Sequence, residues 1–175
     1  LHLFDADLRC VVDGDSLKGF YVRNYVAGYR LPFRAVHDQD FRFAPLSDKS
    51  PEVNFGGTYA VTFVNDEETT PAVGIFEHRA GNLVVGTFLT ETGDYRYLEG
   101  SVIDQTLHLS TFDGNHAYLF TAKRTSDSTL AGDYWAGRAW HQNWTATFDE
   151  QAKLTDASTL TYLKEGYDSI TFYFP

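Results

Sequence analysis

Along this chain a glycine repeatedly stands in the middle of a strand-like run. It does so in Leu17-Lys18-Gly19-Phe20-Tyr21, Val84-Val85-Gly86-Thr87-Phe88, Leu98-Glu99-Gly100-Ser101-Val102 and Leu130-Ala131-Gly132-Asp133-Tyr134. Glycine costs a strand backbone entropy and gives it nothing to pack, so its recurrence there needs a structural reason. Sharp coiling, a bulge or the close approach of a facing chain would each supply one. A barrel or a strongly curled sandwich is built from such sites.

The stretch from Thr111 to Thr147 is organised around one of these units and carries Trp135, Trp140 and Trp144. It has an echo near the N-terminus. Phe4-Asp5, Leu17 to Tyr21 and Phe33-Arg34-Ala35 run parallel to Phe112-Asp113, Leu130 to Tyr134 and Trp144-Thr145-Ala146. Such an echo reads as a hairpin copied within one sheet system, spanning 4–35 and 112–146.

Turn signals divide the chain into short strands. Asp13-Gly14-Asp15, Ala80-Gly81-Asn82, Thr92-Gly93-Asp94, Asp113-Gly114-Asn115 and Ser126-Asp127-Ser128 separate runs rich in Val, Thr, Phe and Tyr. Pro32 has no N–H for a ladder and belongs on an edge or at a bulge. Residues 38–53 read as a polar connector anchored by Phe41 and Phe43, and residues 65–71 as a charged loop. The expected fold class is all-β: an antiparallel meander of about 9–11 strands forming a curled sandwich or lipocalin-like barrel. After Glu150 the pattern breaks. Residues 154–166 predict a short helical turn, and Ser169 to Phe174 a last strand. The expected domain therefore spans 1–153, with 154–175 a linker. The chain has no initiator methionine and no signal pattern, which implies that it begins inside a longer precursor.

Charge and cysteine usage narrow the function. The formal charge of -10, from 24 acidic and 14 basic residues, argues against nucleic acid and anionic membranes. A single cysteine, Cys10, permits no internal disulfide and no CxxC redox pair. No run is long and apolar enough to span a bilayer. His2, His78, His108, His116 and His141 show no metal-ligand spacing, so no metal and no cofactor is expected. Nucleophile-elbow and phosphate-loop motifs do not occur, and no catalytic residue is assigned.

The candidate binding surface gathers at hairpin turns. Asp113, Asn115 and His116 place a carboxylate, an amide and an imidazole at one reversal. Asp94 and Arg96 flank another, and Trp140 and His141 a third. Sheet curvature would bring these to one rim, as a polar pocket lined by Tyr95, Tyr97, Trp135 and Trp144. Three readings compete. A small-ligand barrel would use the many aromatics; a carbohydrate-binding module would need Trp135, Trp140 and Trp144 in one plane; a hydrolase would need Asp94, Asp113 and His116 to converge.

The run Gly86 to Gly100 (GTFLTETGDYRYLEG), followed by Leu109 to Phe120 (LSTFDGNHAYLF), is similar to a domain of known context. It resembles the domain preceding the thioredoxin-like domain in TlpA/ResA-type envelope thiol–disulfide oxidoreductases, chiefly of Bacteroidetes-like bacteria. Leu130 to Gly137, Trp144-Thr145-Ala146 and Leu160 to Gly166 extend the match. The resemblance implies an accessory domain in the periplasm or envelope, with a thioredoxin-like domain following in cis. It implies a protein substrate or redox partner, and reacting cysteines beyond Pro175.

Overall fold

A computed structural model describes residues 2–65 and 68–156. After a 3-10 turn at His2–Phe4, twelve strands follow: β1 (Ala6–Asp13), β2 (Ser16–Arg23), β3 (Arg30–Val36), β4 (Gly57–Val64), β5 (Thr69–His78), β6 (Leu83–Thr90), β7 (Gly93–Asp94), β8 (Leu98–Ile103), β9 (Thr106–Phe112), β10 (Ala117–Arg124), β11 (Thr129–Ala136) and β12 (Trp140–Phe148). Among the described residues these form two antiparallel sheets. β1-β2-β3 is a small sheet by itself. The others run as an up-and-down meander from β4 to β12, and β12 returns to pair with β4. With the two-residue β7 set aside, the result is a closed eight-stranded barrel.

All-β architecture and antiparallel barrel agree with the sequence; other expectations need correction. The echo does not share one sheet, since 4–35 forms the small sheet and 112–146 part of the barrel. Strand β5 begins at Thr69, inside the expected charged loop, and accommodates Pro71 because the β5–β6 ladder starts only at Ala72. Strand β8 starts at Leu98 and not Tyr95, because Tyr97 adopts a left-handed backbone (φ 59°) that interrupts the ladder. Pro32 does lie in an edge strand, β3. No α-helix occurs among the described residues, and Leu154 to Asp156 have no regular structure. The remainder of the expected helical turn, and the expected strand from Ser169, lie outside the described residues.

The recurring glycines have a common geometry. A Cβ on Gly132 would stand 1.8 Å from the Thr121 carbonyl oxygen of the neighbouring strand. On Gly100 it would meet the His108 carbonyl at 1.8 Å, on Gly86 that of Ile75 at 2.4 Å, and on Gly19 that of Arg9 at 2.0 Å. Each marks a place where the strand coils so tightly onto its neighbour that a side chain has no room. Eight strands close only with such coiling.

Alternation along each barrel strand then sorts the residues. Tyr59, Val61 and Phe63 on β4, Val84 and Phe88 on β6, Leu107 and Leu109 on β9, and Trp144 and Ala146 on β12 all point inward and are buried. The interior is filled by a run of rings. Centroids lie 5.8 Å apart for Tyr59 and Phe76, 5.3 Å for Phe76 and Phe88, 4.7 Å for Phe88 and Phe120, and 4.6 Å for Phe120 and Tyr134. Trp144 leans edge-on against Phe88 at 5.1 Å. At one end the 37–56 connector seals the barrel. Fully buried Phe55 is held by its N–H donating to His78 Nε2 at 3.0 Å. Burial lowers the His78 pKa, which keeps that nitrogen an acceptor.

Replacing Gly132 by Ala should therefore destabilise the fold by about 2–3 kcal/mol, the cost of overpacking against backbone. The urea midpoint measures it. An unchanged midpoint would show that the strand does not coil as described.

Candidate functional site

At the opposite end of the barrel the filling changes from hydrocarbon to hydroxyl. Strand parity points Tyr118 of β10 and Tyr134 of β11 inward, Tyr134 level with Phe120 and Tyr118 two residues nearer the end. Tyr95 enters from the loop after β7, fixed by its N–H to the Phe88 carbonyl at 2.9 Å. The Tyr95 and Tyr134 hydroxyls are 3.0 Å apart, and Tyr95 meets Tyr118 edge-on at 5.1 Å. The Tyr118 hydroxyl donates to Asp113 Oδ2 at 3.1 Å.

Asp113 organises the adjoining turn. Its Oδ1 accepts the N–H groups of Asn115 at 2.7 Å and His116 at 2.5 Å, and its Oδ2 lies 3.2 Å from His116 Nδ1. Burial pushes this carboxyl's pKa up, but the two backbone donors, His116 and Tyr118 together hold it below its ordinary value. Tyr134 and Tyr118 are both pushed well above the usual phenol range. Burial leads in each case, aided for Tyr134 by the Tyr95 hydroxyl and for Tyr118 by the charge on Asp113. These phenols stay protonated and act as neutral donors at any ordinary pH.

The small sheet lies over this end. Tyr21 donates from its hydroxyl to the Gly114 carbonyl at 3.1 Å and packs edge-on against Phe112 at 5.4 Å. Arg23 donates to the Asn115 carbonyl, and the Tyr25 hydroxyl to Asn115 Oδ1 at 2.8 Å. Gly114, at φ 96°, leaves room for the Phe4 ring, which a Cβ there would approach to 2.2 Å. The tyrosine cluster is therefore enclosed by strand side chains and roofed by β1–β3.

The candidate residues do not stay together. Tyr95, Asp113, Asn115 and His116 meet at the roofed end. Asp94 and Arg96 pair with each other at 2.9 Å on the outer wall. Tyr97, 81% exposed, lines an outer cleft of about 610 Å3 with Arg42, Glu99 and Ile75. Trp135 and His141 stack at 5.2 Å on the outer face of β11 and β12, where Asp133 Oδ1 is 2.9 Å from His141 Nε2 and accepts Asn143 Nδ2 at 3.0 Å. Trp140, half exposed at the start of β12, is on the other side of the strand, which it shares with Gln142 and the buried Trp144. Tyr95, Tyr97, Trp135 and Trp144 thus do not line one pocket, since Tyr95 and Trp144 face inward and the other two outward. Burial of Trp144 also removes the single-plane tryptophan platform that a carbohydrate-binding reading required. Among the described residues no group of three or more His, Cys, Asp or Glu side chains is placed to hold a metal.

Sequence reasoning missed Tyr118 and Tyr134, the two phenols that complete the roofed end. Their signal was period two: Tyr118, Phe120 and Ala122 alternate down β10, and Tyr134 sits on the same side of the adjacent strand. It also missed the roof, Tyr21, Arg23 and Tyr25, which lies about 90 residues away in sequence.

No family model and no curated relative matches the chain. Among solved structures it is similar to a redesigned β-barrel, mFAP1, bound to DFHBI, at 19% identity with a TM-score of 0.40; the alignment covers 53% of this chain and 93% of that one. EF1p2_mFAP2b bound to DFHBI matches at 18% identity and a TM-score of 0.39, over 54% and 93%.

The resemblance to a TlpA/ResA-type accessory domain is corrected here: no family model and no curated relative carries it. The thioredoxin-like domain in cis and the protein substrate or redox partner fall with it. The motifs behind that resemblance have a local physical explanation. Gly86, Gly100 and Gly132 are coiling sites, Phe88 and Phe120 are interior rings, and Asp113 to His116 is a turn closed by its own carboxylate.

The Asp113 network predicts a pH dependence. A carboxyl with a lowered folded pKa contributes stability above its unfolded value, near about 4, and loses it as pH falls through the folded value. The stability advantage of the wild type over Asp113→Asn should be larger near about pH 6 than near about pH 2.5. Denaturant titrations at the two pH values check this, and equal advantages would contradict it.

Proposed function

We propose that this chain is a noncatalytic β-barrel module that binds a small, largely aromatic ligand at its tyrosine-lined end, beneath the β1–β3 roof. One observation carries the reading: an apolar ring-walled interior ends in a convergent set of hydroxyls, Tyr95, Tyr118 and Tyr134, backed by the Asp113 carboxylate. Small-molecule sites combine those two features, apolar walls and a few placed polar groups. The ring-filled interior below Phe120 supports a site at the end of the barrel over one at its centre. The roof, hinged on a few hydrogen bonds to Gly114 and Asn115, is the element that would move to admit it.

The test uses N-phenyl-1-naphthylamine, a neutral aryl probe that brightens in apolar surroundings. Saturable binding is expected, with amide shifts concentrated at Tyr95, Tyr118, Tyr134 and Gly114 in NMR spectra. Tyr134→Phe keeps the ring, removes the hydroxyl, and should weaken the probe by a few-fold, the value of about 1 kcal/mol for one hydrogen bond. Absence of saturable binding, or shifts confined to another face, would overturn the proposal.

A further inference from the structure

The chain is strongly acidic overall, yet one cleft on the small sheet is cationic. It lies on the face of β1–β3 that carries Arg9, Phe20 and Arg30, and measures about 420 Å3. Its floor follows from register. Phe20 sits opposite Arg9 on one side and Pro32 on the other, and Val22 sits opposite Arg30. The turn containing Val26 forms one wall. Phe20 and Val26 remain 39% and 38% exposed, so the floor is apolar and reachable.

The charges around this floor are unevenly spent. Arg9 is already engaged by Asp7 at 2.9 Å and by Asn24 Oδ1 at 2.9 Å. Arg30 stacks over the Phe20 ring at 5.1 Å, and among the described residues no carboxylate pairs with it. Arg23 points the other way: it shares the face of Tyr21, stacks over Tyr29 at 4.3 Å and donates to the Asn115 carbonyl, so Arg30 is the unspent charge over this floor. No carboxylate lines the cleft. A cleft with an uncompensated guanidinium beside an aromatic floor is suited to an anion with a flat apolar body. Guanidinium stacked on a ring keeps its edge available for such an anion.

We infer that this cleft is a second ligand site, separate from the roofed end, for a small aromatic molecule carrying one anionic group such as a carboxylate or sulfonate. The flat body lies on Phe20 and Val22, and the anion is held by Arg30.

The probe is 8-anilinonaphthalene-1-sulfonate, compared with N-phenyl-1-naphthylamine, the same aryl amine without the sulfonate. Arg30→Gln should weaken the anionic probe by about tenfold, the worth of one charge-assisted hydrogen bond. It should leave the neutral probe's affinity for the roofed end unchanged. Arg79→Gln, an equal change of charge on the far wall where Arg79 pairs with Glu77 at 2.9 Å, serves as the control and should have little effect. Raising salt from about 20 to about 300 mM should weaken the anionic probe alone. Equal affinity for the anionic probe in wild type and Arg30→Gln would overturn the inference. So would equal losses in Arg30→Gln and Arg79→Gln. Failure of the neutral probe bears only on the roofed end.

Discussion

The structure depends on the pairing of its first and last barrel strands. β4 and β12 are joined by six register pairs from Tyr59 with Phe148 to Val64 with Asn143. That ladder turns an open meander into a barrel without edges, and so removes the unpaired row of N–H and C=O groups that an open sheet exposes. Closure requires each strand to coil, and the coiling is concentrated where Gly86, Gly100 and Gly132 lie against a neighbouring carbonyl. The same contacts bring strand faces close enough for Phe63, Phe88, Phe120 and Trp144 to touch across the interior. Backbone geometry and core packing are thus a single constraint.

Once the interior is filled with rings, function is displaced to the ends and the outer surfaces. One end is stoppered by Phe55, whose N–H is satisfied by a neutral His78. The other is polar, and its phenols are kept protonated by burial and by each other. A packed barrel with one end stoppered by a ring and the other lined by hydroxyls has a direction. The small sheet adds a roof to the polar end, and on its far face a cationic cleft that the rest of this acidic chain lacks a counterpart for among the described residues.

Much of this was legible in the sequence for definite reasons. Asp13-Gly14, Asp113-Gly114 and the glycine-centred runs report local backbone geometry, so strands, turns and coiling could be read from them. The rim was partly legible too. Turns at 92–94, 113–116 and 137–140 alternate in an up-and-down meander, and alternate turns share an end. Which side chains face inward was not legible, because parity depends on register. Gly132 pairs with Trp144, which puts Trp144 inside and leaves Trp135 outside beside His141. Closure and the roof were also out of reach, since they join segments roughly 80–110 residues apart. The family likeness misled for a related reason: a string such as Leu-Ala-Gly-Asp-Tyr records how a strand coils, a demand of backbone geometry that does not report ancestry.

Closure is tested most directly by NMR across the β4–β12 ladder. The account predicts cross-strand Hα–Hα contacts at alternate pairs between Tyr59–Val64 and Asn143–Phe148, with slow amide exchange on the two strands. Absence of those contacts, with fast exchange on the facing edges of β4 and β12, would mean an open sheet and would contradict it.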